Sequence, residues 1–466
     1  MASARRSIRS NSVSCILVLA LLGTGLEAIM WRPVGYPLDV SSISCLYENP
    51  FTGDLIVGGG QLLYAGTDSA MFAVLRYREG LWDTLCRVNQ PVHAVVWFDD
   101  KLIIAGNFTV VEGQNVARIA YLSGGMWLPY GNFDGAIHCL KELEGSLYAA
   151  GSFLQCDGNI ASGVAVRTEL GWDPVGLIPF ITPPTVRDLE IYGGELIATG
   201  LIRCGAFKDL VRFDGTGWYP VGANGILGGI SGGATLEVFD GDLIIGGTID
   251  IASGNAGHAI MGWNGEQFYA LGIGPQYVQG SYQFLFRVND VVVHHGLLFA
   301  VGGFNYVDLV PASRVAVWDG QSWCSLGGDI EGELRVMAFY RDTLVVASWG
   351  EQGFDGIDMN NVAAYQVLNY ADTCASPVAV DERTRAREVA VYPNPTSGMV
   401  TLDIDIPGPV YVEVRCLDGR LLKVVQLGPG ERSMELKRGA VGEVLILEVS
   451  HGSRRYAPQR VILLQD

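Results

Sequence analysis

Seven short segments of this chain, each leading into a β-branched run that ends in glycine or a small residue, repeat one position of distinctive chemistry. Aligned on that run, the position is filled by Ser44, His93, His138, Arg187, Asn289 and Arg335, with Ala234 the exception. Imidazole, guanidinium and amide groups at equivalent steps of a repeat meet only if the repeats radiate from a common axis. Two histidines and two arginines would then make a locally basic ring in a chain of formal charge −18. Guanidinium forks bind carboxylate and sulfate bidentately, so the ring is the expected ligand site, suited to a carboxylate, a sulfate or an acidic sugar. His93 and His138 have no carboxylate partner fixed by the sequence, so no metal and no other cofactor is assigned. No catalytic residue is assigned either. The chain has no H-E-x-x-H and no Walker motif. Nor does it show the D-x-D-x-D-G spacing of a calcium loop. A glycosidase on such a scaffold needs paired acids about 5–10 Å apart. Asp188 and Asp290 stand one step from the ring, where simple strand alternation turns them to the opposite face.

The elements that would position the ring recur with an aromatic anchor. Trp31, Trp82, Trp127, Trp172, Trp218, Phe268 and Trp323 are separated by 51, 45, 45, 46, 50 and 55 residues. Five of them open one phrase: Trp31-Arg-Pro-Val-Gly35, Trp127-Leu-Pro-Tyr-Gly131, Trp172-Asp-Pro-Val-Gly176, Trp218-Tyr-Pro-Val-Gly222 and Trp323-Cys-Ser-Leu-Gly327. Each unit reads as four strands: an inner apolar segment, a run such as Leu102-Ile-Ile-Ala-Gly106, a third strand, and the aromatic strand after an Asp-Gly or Asn-Gly turn. An all-β repeat of this length is a propeller blade. Seven second strands count seven blades. The seventh unit lacks an aromatic strand, and Trp31-Arg-Pro-Val-Gly35 is left over at the other end, so it is expected to close the ring there. The anchors are expected to pack between blades, which is core work for an indole.

The fold class expected is therefore all-β, a seven-bladed β-propeller over 29–374, then a linker over 375–388, then a small antiparallel β-sandwich over 389–466. Residues 1–28 read as a signal peptide. Arg5, Arg6 and Arg9 precede the apolar run Cys15 to Leu22, and small residues follow at Gly23, Gly25 and Ala28. That run is too short to span a bilayer, so a mature chain outside the cytoplasm without a transmembrane segment is expected. The acidity argues against nucleic acid and anionic membrane surfaces as partners. Eight cysteines remain after the signal, and eight allow 105 pairings. Cys156 and Cys204 occupy similar loop positions and would meet across neighbouring blades, unless they are buried thiols.

The pattern G-x-L-x-x-x-G followed by W-D-G-x-x-W resembles kelch-like and related cell-surface propellers over residues 30 to 370. This resemblance implies the fold and says nothing of an activity. In the tail, Tyr392-Pro-Asn-Pro-Thr-Ser-Gly398 resembles the opening of the C-terminal sorting domain on cargo of the type IX secretion system of Bacteroidota. A V-x-V-x-x-x-D-G-R segment at Val412 to Arg420, a strand at Val444 to Val449 and the closing Arg460-Val-Ile-Leu-Leu464 follow in the family's order. The chain departs from the family at Gly442-Glu-Val444, where G-x-Y is usual, and at Arg460, where a lysine is usual. The resemblance makes Tyr392, Pro393, Asn394, Pro395 and Gly398 the sorting motif and the type IX machinery a partner. The reading is a secreted or cell-surface binding or adhesion protein, with an extracellular glycan or surface protein as ligand. The alternatives are an extracellular polysaccharide hydrolase or lyase on the same scaffold, and a purely structural surface component.

Overall fold

The computed structural model describes residues 31–35, 40–62, 71–180, 183–204, 207–223, 225–226, 233–277, 287–308, 310–327, 330–348, 353–354, 357–358 and 361–365. Toward the C-terminus it describes 390–392, 399–403, 410–416, 421–428, 431–436, 444–451, 454–455 and 459–462. The expected signal peptide and linker, and Pro393, Asn394, Pro395 and Gly398 of the expected sorting motif, lie outside the described residues. The protein is all-β, and no helix among the described residues is long and apolar enough to cross a membrane.

Seven antiparallel sheets follow one another along the chain, each begun by one strand of the repeating inner set. The inner strands are Cys45–Glu48, Val92–Phe98, Ile137–Leu143, Thr185–Tyr192, Gly233–Phe239, Val288–His294 and Leu334–Tyr340. Each packs on the next in order, and the first also packs on the last. The second strand of each sheet is the β-branched run, buried almost end to end, as in Lys101–Gly106 and Leu297–Gly302. Burial on both faces is what selects a continuous apolar run over an alternating one. The seventh sheet takes its fourth strand from the far end of the chain: Trp31–Pro33 pairs antiparallel with the strand Val362–Tyr365, Trp31 opposite Tyr365. The paired segment is shorter than the five-residue phrase read from the sequence.

The aromatic phrase has a contact explanation. Trp82 Nε1 donates to Val34 O at 2.7 Å, Trp172 Nε1 to Tyr130 O at 2.9 Å, Trp218 Nε1 to Val175 O at 2.7 Å and Trp323 Nε1 to Leu271 O at 2.8 Å. In each case the acceptor is the residue just before the phrase's glycine in the preceding sheet. Trp31 Nε1 reaches the phrase's glycine itself, Gly327 O, at 3.4 Å, and the carbonyl of the residue before it, Leu326, accepts the Tyr365 hydroxyl, so the seventh sheet is joined to the sixth by a variant of the same contact. The glycine itself makes room for the indole: a Cβ at Gly131 would lie 2.5 Å from Trp172 Cδ1. Phe268 fills the equivalent space beside Gly222 without a donor.

Beyond residue 390 two further sheets form. Ala390–Tyr392, Met399–Asp403 and Ser433–Glu435 make one; Val410–Cys416, Leu421–Leu427, Val444–His451, Arg454–Arg455 and Gln459–Ile462 make the other. Val400, Leu402 and Met434 of the first share a buried core with Val412, Leu447 and Val461 of the second.

Among the cysteines, Cys45, Cys86 and Cys156 are buried thiols, Cys139 is a half-buried one, and Cys324 is disulfide-bonded. The Cys156–Cys204 bridge is therefore corrected: Cys156 is a free thiol in the short hairpin Gln155–Ile160, its Sγ 3.6 Å from Trp172 O of the same repeat.

Candidate functional site

Six of the seven inner strands carry a β-bulge, and the extra residue is the aligned position. Pairing with the second strand skips from Val92 to Ala94, Ile137 to Cys139, Val186 to Asp188, Gly233 to Thr235, Val288 to Asp290 and Leu334 to Val336. The skipped residues are His93, His138, Arg187, Ala234, Asn289 and Arg335. A bulge re-aims a side chain and bends the strand, so one local irregularity, repeated, sets the aligned position. The glycine that ends the second strand is the other half of the device. A Cβ at Gly106 would lie 2.2 Å from Pro91 O, at Gly151 2.0 Å from Ala136 O, at Gly200 2.1 Å from Thr185 O and at Gly302 2.0 Å from Arg287 O. The seventh sheet has Ser348 at this step, opposite Leu334. Ser44 enters the first sheet without a bulge between the paired strands Cys45–Glu48 and Leu55–Leu62, its amide donating to Gly58 O at 3.0 Å.

Four of the aligned side chains come together. The His93 and His138 rings lie with centroids 5.3 Å apart and tilted by 45°. Burial, then the nearby Arg335 charge, pushes the His93 imidazole down to about 4; burial, then His93 and Arg187, does the same to His138. His138 Nε2 lies 3.3 Å from Ser152 Oγ. Burial and the Arg287 charge hold Arg187 below the usual guanidinium range, and burial, Arg287 and Arg187 do so for Arg335. The positive charge of the ring at neutral pH is therefore carried by arginines, and the histidines are neutral, which corrects the expectation that all four contribute. Arg187 forms no ion pair among the described residues. Asn289 is engaged elsewhere: its Nδ2 donates to Glu333 Oε1 at 2.6 Å and to Leu334 O at 2.7 Å. Among the described residues no acidic or thiol group joins the two histidines in a metal-sized cluster.

Sequence reasoning missed Arg287 and Glu333, which form an ion pair at 2.5 Å beside the ring. Each precedes an aligned residue by two positions, the same side of an extended strand. Period-2 parity was the available signal.

Asp188 and Asp290 turn out to be joints between sheets. Asp188 Oδ2 accepts the Leu236 amide at 2.7 Å and Asp290 Oδ2 accepts the Met337 amide at 2.9 Å, each from the next inner strand. Lys141 Nζ lies 2.7 Å from Glu190 Oε2 and 3.8 Å from Asp188 Oδ1. Burial pushes Asp290 and Glu237 up to about 7. Carboxyls occupied by backbone amides are tied to structure, which argues against their service as a hydrolytic acid pair.

No family model matches the chain, and no curated protein matches it. Solved structures superpose only loosely. The extracellular domain of the hybrid two-component system BT3049 from B. thetaiotaomicron aligns at 8% identity and TM-score 0.30, covering 90% of this chain and 72% of its own. The Bacteroides ovatus xyloglucan PUL GH43B aligns at 11% and 0.23, covering 92% and 90%. A Schwanniomyces occidentalis fructofuranosidase complexed with fructosylnystose aligns at 9% and 0.26, covering 94% and 95%. Superpositions this loose define neither fold nor activity.

Proposed function

We propose that this chain is an exported seven-bladed β-propeller, kelch-like in its repeat, that binds an anionic ligand at the mouth of its central channel. The cyclic order of the seven inner strands supports the seven-blade count and the channel. The observation that carries the ligand class is Arg187, half-buried and without an ion-pair partner, facing the same space as Arg335 and two neutral imidazoles. A guanidinium sheltered from water and in no direct ion pair, with the Asp209 carboxylate acting on it only through space, favours an incoming carboxylate or sulfate. Neutral imidazoles add donors without adding charge. An acidic sugar presents that anion together with hydroxyls, and an acidic glycan on a cell surface is the ligand class that fits best. The C-terminal strands from Ala390 onward serve as a type IX sorting domain, with Tyr392 at the head of its motif, so the mature protein is released or displayed at the outer surface. The tail's resemblance to that family supports this part.

The test is direct. The full chain is screened against neutral, carboxylated and sulfated glycans, with product formation followed in the same wells. Binding confined to acidic glycans, weakened about 10–100-fold by Arg187→Gln as expected for loss of a charge-assisted hydrogen bond, supports the reading. Equal binding of neutral glycans, or unchanged binding by Arg187→Gln, refutes it; released product would replace a binding protein with an enzyme. Removal of residues 389–466 should strand the chain in the periplasm, and unimpaired surface delivery would end the sorting assignment.

A further inference from the structure

Away from the ring, the hairpin turns of the sixth and seventh sheets bring three metal-competent side chains to one point. His294 ends the inner strand Val288–His294, His295 and Gly296 form the turn that follows, and Asp342 lies in the corresponding turn of the seventh sheet. Tight two-residue turns favour positive φ at both central positions, and His295 at 49° and Gly296 at 74° obey this, as do Arg341 at 50° and Asp342 at 61°. Adjacent sheets therefore present their turns side by side.

The geometry is that of a ligand set. His294 Nε2 and His295 Nε2 each lie 3.4 Å from Asp342 Oδ1, and one ligand atom from each residue falls within 4.8 Å of the others. Zinc bonds nitrogen and carboxylate oxygen at about 2.0–2.2 Å, so the edge between two tetrahedral ligands is about 3.3–3.5 Å. Both His–Asp separations match that edge. The His294 Nε2 atom is shielded from solvent yet makes no hydrogen bond, so its approach to Asp342 is a contact awaiting a bridging partner. Its ring is fixed by stacking on Phe339, centroids 3.6 Å apart and planes 13° apart. His295 and Asp342 are exposed, which leaves a route for the ion and a fourth position for water.

We propose that His294, His295 and Asp342 bind a divalent transition metal of borderline softness, zinc foremost, as a clip between the sixth and seventh sheets. Imidazole with a single carboxylate suits zinc, copper or nickel and disfavours magnesium or calcium, which want several oxygens. The seventh sheet is completed by Trp31–Pro33 from the other end of the chain. A metal that ties it to the sixth reinforces the ring beside its closure, and binding to the folded state raises the unfolding temperature by mass action.

Cobalt(II) is the probe, because its visible bands report tetrahedral nitrogen and oxygen ligands. The full chain, stripped by chelator, should take up one equivalent of cobalt, displaced by zinc and not by magnesium. His295→Gln and Asp342→Asn change exposed residues and should fold normally, yet each should weaken binding at least about tenfold. Zinc should raise the unfolding temperature of the parent and leave that of Asp342→Asn unmoved. A titration with no saturable equivalent would overturn the proposal. So would equal affinity in both variants, or a signal lost only in His93→Ala/His138→Ala, which would place the metal in the ring.

Discussion

Replacing Trp172 by phenylalanine probes whether the repeated indole contact holds neighbouring sheets together. Trp172 is fully buried, donates to Tyr130 O at 2.9 Å and packs on Phe133 with centroids 5.3 Å apart. Phenylalanine removes the donor and leaves the largely buried Tyr130 carbonyl without it, which costs roughly 1–3 kcal/mol. The missing part of the indole leaves a void of about 40 Å³, worth about 1 kcal/mol at the usual cavity coefficient. Together these give a loss of about 2–4 kcal/mol. Trp82 makes the same contact, to Val34 O at 2.7 Å, from a half-buried site where water can replace the lost bond. Its phenylalanine variant should lose only about 1 kcal/mol. Urea unfolding of parent and both variants, followed by far-ultraviolet circular dichroism, gives the two differences. If Trp172→Phe lies within about 0.5 kcal/mol of the parent, or costs no more than Trp82→Phe, the indole–carbonyl bond is not what fixes the repeat.

Gly151→Ala sets a Cβ 2.0 Å from Ala136 O, so the bulge that presents His138 must open. A loss above about 3 kcal/mol is expected, and a parent-like urea midpoint would refute the account of the bulge. Asp290 and Glu237 are raised to about 7, burial being the main cause, so between their ordinary values near 4 and pH 7 the folded state holds more protons than the unfolded one. Stability from these groups therefore falls as pH rises through that window. Asp290→Asn should flatten the fall and be the more stable protein at pH 8, by a few kcal/mol; an unchanged pH profile would contradict the assignment. His93 and His138, pushed down to about 4 from 6.5, work in the opposite direction: they destabilise the fold as pH drops from 6.5 toward 4. A bound anion favours their protonated forms, so affinity for an acidic glycan should rise over the same interval. Calorimetry at pH 7 and pH 5 that finds no rise would count against the histidines as ligand donors.

Much of the architecture was legible in the sequence because the repeat is written in local chemistry. A β-branched run, a turn with the right glycine and an aromatic at fixed spacing are each decided by neighbours a few residues away, and the strands at Leu102, Leu147 and Leu298 lie where that pattern puts them. The equivalence of the aligned positions was also legible, since equivalent steps of equivalent units share one geometry. Its mechanism was not: a one-residue bulge is visible only in the pairing of two strands, and it changes which neighbours face together. Strand alternation alone therefore described Asp188 and Asp290 as turned away, whereas their carboxylates bridge to the next sheet. The charge state of the ring required burial as well as composition, because the same imidazole that titrates near 6.5 in water stays neutral when desolvated beside arginine. The juxtaposition of His294 and His295 with Asp342 is likewise a product of two turns in successive sheets. Sequence supplied the residues and their period; the closing of the sheets on one another decided which of them meet, because proximity across a repeat depends on packing and not on distance along the chain.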